Sequence, residues 1–348
     1  MKKSTSTRRP GNEASAPPAS SWRELPPRIP EKKVTIYDLA RMAKVSPGTV
    51  SRVLNNRDRV KPETRDLVLR AANQLGLKPQ AAVRLRTVAI LSEPTYPDRI
   101  EGYAATLTAY LSFAFARRKI GVLLPLNPLE ELPRKFLDGI VVVTEARALK
   151  GLVEELERRI PVVHIDKFPA GPDEFVVCSD HYGAGYQAAQ YLIHRGRTRL
   201  AFIGPDYSPF AERLRGFKKA VSEAGLKPSE QFLSLHGTEI TQMSVLTHIV
   251  RLGADGIYAP GSSFEALECL HILGYVMGLK IPEQISLIGG ENAGISSLLN
   301  PPLTTIEEPL HDMAEQAAAM IDRLTSGQPV PEPQLCLPVR VIERNSVR

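Results

Sequence analysis

Arg52 lies one helical turn after Gly48 in the stretch Ser46-Pro47-Gly48-Thr49-Val50-Ser51-Arg52. Small and hydroxylic neighbours leave a guanidinium room to approach an anion or the edge of a base closely. The elements that present it can be read from the same residues. Thr35 is a good N-cap for a first helix over about 36–43, with Ile36, Leu39, Ala40 and Ala43 as its apolar face. Lys44 and Val45 make a tight turn. Ser46 then caps a second helix that opens on Pro47, where the missing N–H costs nothing. Val50, Val53 and Leu54 face inward by spacing, leaving Gly48, Thr49, Ser51, Arg52 and Asn55 outward. Two short helices on a tight polar turn have the form of a helix-turn-helix DNA reader. An ordinary amphipathic helical hairpin is the plainer alternative.

The charge distribution favours the reader. The chain has 348 residues and a net charge of +6, but residues 1–86 are strongly basic and the remainder is acidic. A basic front on an acidic body is the electrostatic footprint of a chain that meets nucleic acid at one end. Residues 1–33, rich in Pro, Ser and scattered charge, read as a disordered basic arm without the apolar core of a secretory signal. With 43% hydrophobic and 24% charged residues the composition is that of a soluble globular chain, and no apolar run is long enough for a membrane helix. Cys178, Cys269 and Cys336 are far apart and read as free thiols of a reducing cytoplasm.

Other chemistry finds no support in the spacing. The seven His are scattered without an HExxH or Cys/His cluster, so no metal is expected. No Ser/His/Asp order or paired carboxylates point to catalysis, and Gly183-Ala184-Gly185 is a lone G-x-G whose simplest role is close packing. The chain is therefore not expected to be an enzyme or to need a cofactor.

From Thr87 onward short apolar strands alternate with amphipathic helices. Strands are predicted over about 87–92, 120–125, 139–144, 161–166, 199–204, 255–259 and 284–289. Helices are predicted over about 99–118, 148–159, 182–194, 210–224, 241–252, 264–277 and 310–325. Such alternation implies parallel sheets covered by helices, and the strand count implies two lobes. The segment from Leu124 to Gly139 is too short for a full helix, so the first lobe looks trimmed.

The string Val34–Asn55, continued by Val60-Lys61-Pro62-Glu63-Thr64-Arg65 at the start of a third helix, resembles the LacI/GalR family of bacterial repressors. Later segments are similar to that family's effector domain. They include PVVHID (161–166), SDHYGAGYQAAQYLIHRG (179–196), RLRGFKKA (213–220), IPEQISLIGGEN (281–292) and PPLTTIEEP (301–309). The resemblance implies a small all-α helix-turn-helix domain at 34–78, a shortened hinge at 79–86, and a two-lobe α/β periplasmic-binding-protein-like domain with parallel sheets at 87–348. That last domain would carry effector binding and dimerisation. It further implies a cytoplasmic, nucleoid-associated homodimer that binds a pseudo-palindromic double-stranded operator, usually as a repressor, and no membrane partner.

On that resemblance the base readers are Pro47, Gly48 and Arg52. Phosphate contacts would fall on Thr35, Tyr37, Ser46, Thr49, Asn55 and Arg59, with Ser51 also on the outward face. In the hinge, Pro79-Gln80-Ala81-Ala82-Val83-Arg84-Leu85-Arg86, either a minor-groove helix wedges Leu85, or a short tether lays Arg84 and Arg86 on phosphate. In the cleft the family pattern implies Asp166, Arg213 and Glu291 as effector contacts. Pro260-Gly261 replaces an Asn-Asp pair that would bond sugar hydroxyls. A small polar effector and a degenerate pocket under ligand-independent or protein-partner control therefore both stay open. A solute-binding protein of the same two-lobe fold would lack the DNA reader.

Overall fold

The computed structural model describes residues 35–54, 60–61, 63–65, 67–68, 71, 86–92, 102–132, 137–143, 149–169, 171–205, 208–226, 233–236, 242–261, 265–291 and 294–348. The basic arm, Asn55, Arg59 and the hinge residues Arg84 and Leu85 lie outside these. The chain divides into two compact units, residues 1–84 and 85–348.

In the first unit, α1 (Ile36–Met42) and α2 (Pro47–Leu54) form where predicted. Thr35 and Asp38 make a reciprocal capping box, with the Thr35 N–H donating to Asp38 Oδ2 at 2.9 Å and the Asp38 N–H to Thr35 Oγ1 at 3.4 Å. Lys44 turns the chain with φ +52°, a left-handed backbone that closes the tight corner. The Thr49 N–H donates to Ser46 Oγ at 3.1 Å, capping α2. Leu39, Ala40, Ala43, Val50 and Val53 bury against Val68 and Ala71 of the segment beyond. Ile36 departs from expectation. It is 44% exposed, because the core closes one turn further along α1.

The second unit carries two six-stranded sheets. The first runs in the order β11-β5-β4-β3-β1-β2, built from β1 (Thr87–Ser92), β2 (Gly121–Leu123), β3 (Gly139–Val143), β4 (Val162–Ile165), β5 (Phe175–Ser179) and β11 (Gln334–Leu337). The second runs β12-β10-β9-β8-β6-β7, from β6 (Leu200–Pro205), β7 (Leu233–His236), β8 (Gly256–Ala259), β9 (Ser286–Gly290), β10 (Thr304–Glu307) and β12 (Arg340–Ile342). Every pairing is parallel except β10 with β12. Apolar strands such as β3, buried along its whole length, need helices on both faces. In the first lobe α3 (Gly102–Arg117) and α10 (Leu310–Thr325) cover one face, and α5 (Lys150–Glu157) the other. In the second lobe α6 (His181–His194) and α7 (Ser208–Glu223) cover one face. The other is covered by α8 (Gln242–Arg251) and α9 (Glu265–His271), the latter running into a π-helical turn over Ile272–Val276. Among its described residues the trimmed segment holds α4 (Pro128–Glu131).

The chain passes between lobes three times, from β5 into α6, from β10 into α10, and from β11 into β12. Helices α6 and α7 approach through glycines. A Cβ on Gly185 would fall 1.7 Å from the Arg213 carbonyl oxygen, and one on Gly216 would fall 2.0 Å from that of Tyr182. The close packing expected of Gly185 is thus its role, and it fixes where Arg213 stands.

Candidate functional site

In the first unit, α2 turns Val50 and Val53 into the core, which leaves Pro47, Gly48 and Arg52 exposed and Thr49 and Ser51 half-buried. Arg52 Nε donates to the Gly48 carbonyl at 3.2 Å, so the guanidinium lies along the exposed face. Ser46 Oγ is 2.8 Å from Thr49 Oγ1. Thr35 and Ser46 both cap helices, and a capped helix N-terminus favours an anion. Tyr37 is 71% exposed, leaving its ring open on the first turn of α1. Arg86 departs from the tether reading. Its Nη1 lies 2.7 Å from Asp322 Oδ1 and donates to Thr325 Oγ1 at 2.9 Å and Ser326 Oγ at 3.0 Å. The C-terminal end of α10 therefore holds Arg86, because its free carbonyls and hydroxyls suit a cation.

In the second unit, the strand ends and crossovers bring together residues from both lobes. Asp166 follows β4 with φ +55° and is buried. Its Oδ1 accepts from the Ser179 N–H at 3.1 Å and lies 3.1 Å from His181 Nε2, while Oδ2 accepts from the Tyr103 hydroxyl. Burial pushes the Asp166 carboxyl up, but hydrogen bonds and charge from His181, with those from Tyr103 and Ser179, outweigh it and hold the group below its ordinary value. The Tyr103 phenol is driven the other way, by burial and then by Asp166 beside it. Arg213, from α7, donates to Glu308 Oε1 at 2.6 Å, and Ser179 Oγ donates to Glu308 Oε2 at 2.6 Å. Burial disfavours the Arg213 charge, and Glu308, Tyr258 and Asp166 restore it to above its usual range. The Arg213 guanidinium also lies over Phe210, 5.0 Å from the ring centroid. Its Nε is buried with no hydrogen-bond acceptor among the described residues.

Glu291, the third expected contact, is engaged within its own lobe. Arg344 grips it with two nitrogens, at 2.8 and 3.1 Å, and Thr305 Oγ1 donates to it as well. It also lines a cavity of about 660 Å3, with Thr106 and Tyr110 of α3, Glu308, His311 and Arg340. Asp166 and Arg213 are not on that wall, and Glu308 is where the cavity and the buried cluster meet. At Pro260-Gly261 the backbone of Gly261 has φ +146°, which L side chains rarely adopt. A Cβ on Gly290 would fall 2.2 Å from the Gly261 carbonyl oxygen, so backbone closes against backbone there.

Sequence reasoning found Asp166 and Arg213 but not Tyr103, Ser179, His181 or Glu308. The polar trio Ser179-Asp180-His181 directly after apolar Phe175–Cys178 was the available signal, since it marks a strand end handing over to a helix. Ser179 Oγ lies 3.3 Å from His181 Nδ1, and His181 reaches Asp166, which is a serine–histidine–carboxylate string. Ser179 is buried and its proton goes to Glu308, so it is not placed as a nucleophile. Asp166, His181 and Glu308 could by distance share a metal, their ligand atoms lying within 4.8 Å of one another. Arg213 already supplies the positive charge on Glu308, and Tyr103 and Ser179 occupy Asp166.

The pattern of "Bacterial regulatory proteins, lacI family" matches residues 35–80, and that of a "Periplasmic binding protein-like domain" matches residues 189–347. The chain combines a LacI-family domain at its front with a periplasmic-binding-protein-like domain behind it. Among relatives, HTH-type transcriptional regulator DegA of Bacillus subtilis (strain 168) is 29% identical, with 90% of this chain and 98% of that protein covered. Catabolite control protein A of Priestia megaterium is 28% identical, covering 90% and 99%. Of solved structures, a transcriptional regulator CelR–cellobiose complex is 26% identical with a TM-score of 0.65, covering 90% and 100%. The lac repressor dimer on operator, 21% identical with a TM-score of 0.66 and covering 90% and 99%, shares the fold. No helix among the described residues is long and apolar enough to cross a membrane.

Proposed function

We propose that this chain is a sequence-specific transcription regulator, a repressor that binds a pseudo-palindromic operator as a homodimer and is gated by a small polar effector between its lobes. It works on the chromosome in the bacterial cytoplasm. The observation that carries the reading is the face of α2: Arg52 exposed beside Pro47 and Gly48, on a helix whose other face is a closed core. Pro47 and Gly48 have no polar side chain, so direct readout falls on Arg52, and Thr35, Tyr37, Ser46 and Thr49 grip phosphate. Asn55, Arg59, Arg84 and Leu85 belong to the same proposed contact.

Support for the homodimer comes from large apolar side chains left exposed in the second unit, among them Phe113, Leu124, Leu126 and Leu129 in the first lobe and Tyr275, Val276 and Leu298 in the second. Support for the effector comes from the unpaired Arg213 Nε within a polar cluster drawn from both lobes. A relative's structure was determined with cellobiose, a polyhydroxylated ligand of the kind Asp166 and Arg213 suit. Effector and operator would then be coupled through the lobe arrangement. The ligand-independent alternative is favoured by one fact, that Asp166 and Arg213 already satisfy most of their bonds within the chain.

A thermal-shift panel of sugars, nucleosides and phosphorylated metabolites on the full chain separates the two. A ligand at about 100 times its Kd stabilises by about 2.7 kcal/mol. Arg213→Lys, which keeps the charge but loses Nε, should abolish that shift while duplex binding survives. A panel without hits would leave the regulator under ligand-independent control.

A further inference from the structure

We propose that Cys178 and Cys336 are a thiol-oxidation site that closes reversibly into an intramolecular disulfide at the boundary between the lobes. They lie on neighbouring parallel strands, β5 and β11, and pair with each other in register. In-register partners put their side chains on the same face of a sheet. The usual strand spacing of about 4.8 Å falls within the Cα separation of about 4.4–6.8 Å that a disulfide spans. The two thiols are near enough to act on each other's titration. Cys336 is exposed and Cys178 half-buried, so one sulfur can meet a solvent oxidant and the other stands behind it. Cys269 has a different setting, buried in the second lobe with its Sγ donating to Gln242 Oε1 at 2.9 Å.

The chemistry balances with a hydroperoxide as oxidant. The Cys336 sulfur attacks the peroxide, the O–O bond breaks, and a sulfenic acid and one water result. The Cys178 sulfur attacks the Cys336 sulfur, the S–S bond forms, and the S–O bond breaks to release a second water. Two thiols lose two electrons and two protons in all, and hydrogen peroxide becomes two waters. Burial holds the Cys178 thiol up to about 12 and raises that of Cys336, so both stand mostly as thiols at neutral pH and react slowly.

The position gives the bond a consequence. Cys178 directly precedes Ser179, which donates to Glu308 in the second crossover, and Cys336 stands two residues before Pro338 in the third. Among the described residues β11 is an edge strand paired with β5 alone. A disulfide would fasten that edge and two of the three passages between lobes.

The test treats the full chain with hydrogen peroxide, alkylates the remaining thiols and maps peptides by mass. The expected product is about 2 Da lighter, with one linked pair 178–336, Cys269 alkylated, and full reversal by dithiothreitol. Cys178→Ser and Cys336→Ser should each abolish the linked pair, and Cys269→Ser should keep it. Hydrogen exchange over residues 334–337 should slow in the oxidised protein. Survival of all three thiols, a Cys336 sulfinic acid beside an alkylated Cys178, or a Cys336–Cys336 link between chains would overturn the site. Unchanged exchange over 334–337 would overturn the fastening.

Discussion

Arg213 and Glu308 meet at 2.6 Å, joining helix α7 of the second lobe to the crossover that leads into α10 of the first. Both side chains are largely buried, and Glu308 also accepts from Ser179 in another crossover. One carboxylate thus ties a helix and two passages, and it borders the interlobe cavity. A change that draws Glu308 from Arg213 would loosen the lobes at their junction.

Removing one partner of this pair leaves an unpaired buried charge. Glu308→Leu should destabilise the protein by about 3–5 kcal/mol, and Arg213→Met by a similar amount. The double variant should cost clearly less than the sum of the two. Chemical denaturation of all four proteins checks this, and additive losses would show that the pair is not coupled.

Gly185 admits Arg213 to its position. Gly185→Ala forces a Cβ into the Arg213 carbonyl, 1.7 Å away, and should cost about 3 kcal/mol or more as α6 and α7 separate. Gly151, whose added Cβ would meet nothing within 4 Å, supplies the control, since Gly151→Ala should be neutral or slightly stabilising. Thermal melts that show equal midpoints for both variants would contradict the packing.

His164 predicts a pH response. Burial lowers its pKa, against the opposing pull of Glu157 2.7 Å away, with Lys167 and Glu174 also acting on it. A histidine with a depressed folded-state pKa binds fewer protons than the unfolded chain, so its contribution is full above the ordinary value of 6.5 and is lost as pH falls through the folded value. His164→Gln should therefore flatten the fall in melting temperature between neutral pH and about pH 5. An identical slope in both proteins would remove His164 from that response.

Much of this was legible because its causes are local. Thr35, Ser46 and Pro47 mark helix starts within a few residues, and Val88–Leu91 or Gly139–Val143 are apolar runs that can only be buried strands. Ile36 was misjudged because helical spacing gives a face but not how far along it the partner reaches. Strands β5, β7, β10, β11 and β12 escaped notice. They are short, and β10 and β12 carry Thr or Arg where an apolar run was sought. Asp166 and Arg213 were found through their motifs, whereas Tyr103, His181 and Glu308 acquire a role only when the crossovers meet. Glu291 was named the same way, while its grip by Arg344 comes into view only in the fold.

The central claim is that α2 reads an operator through Arg52, and selection from a random duplex pool tests it most directly. The full chain should enrich a two-fold pseudo-palindrome. On that sequence Arg52→Ala should lose about 1–3 kcal/mol per half-site while barely changing binding to a scrambled duplex. A chain beginning at Leu85 should bind neither duplex. No enriched sequence, or equal losses on selected and scrambled duplexes for Arg52→Ala, would contradict the account.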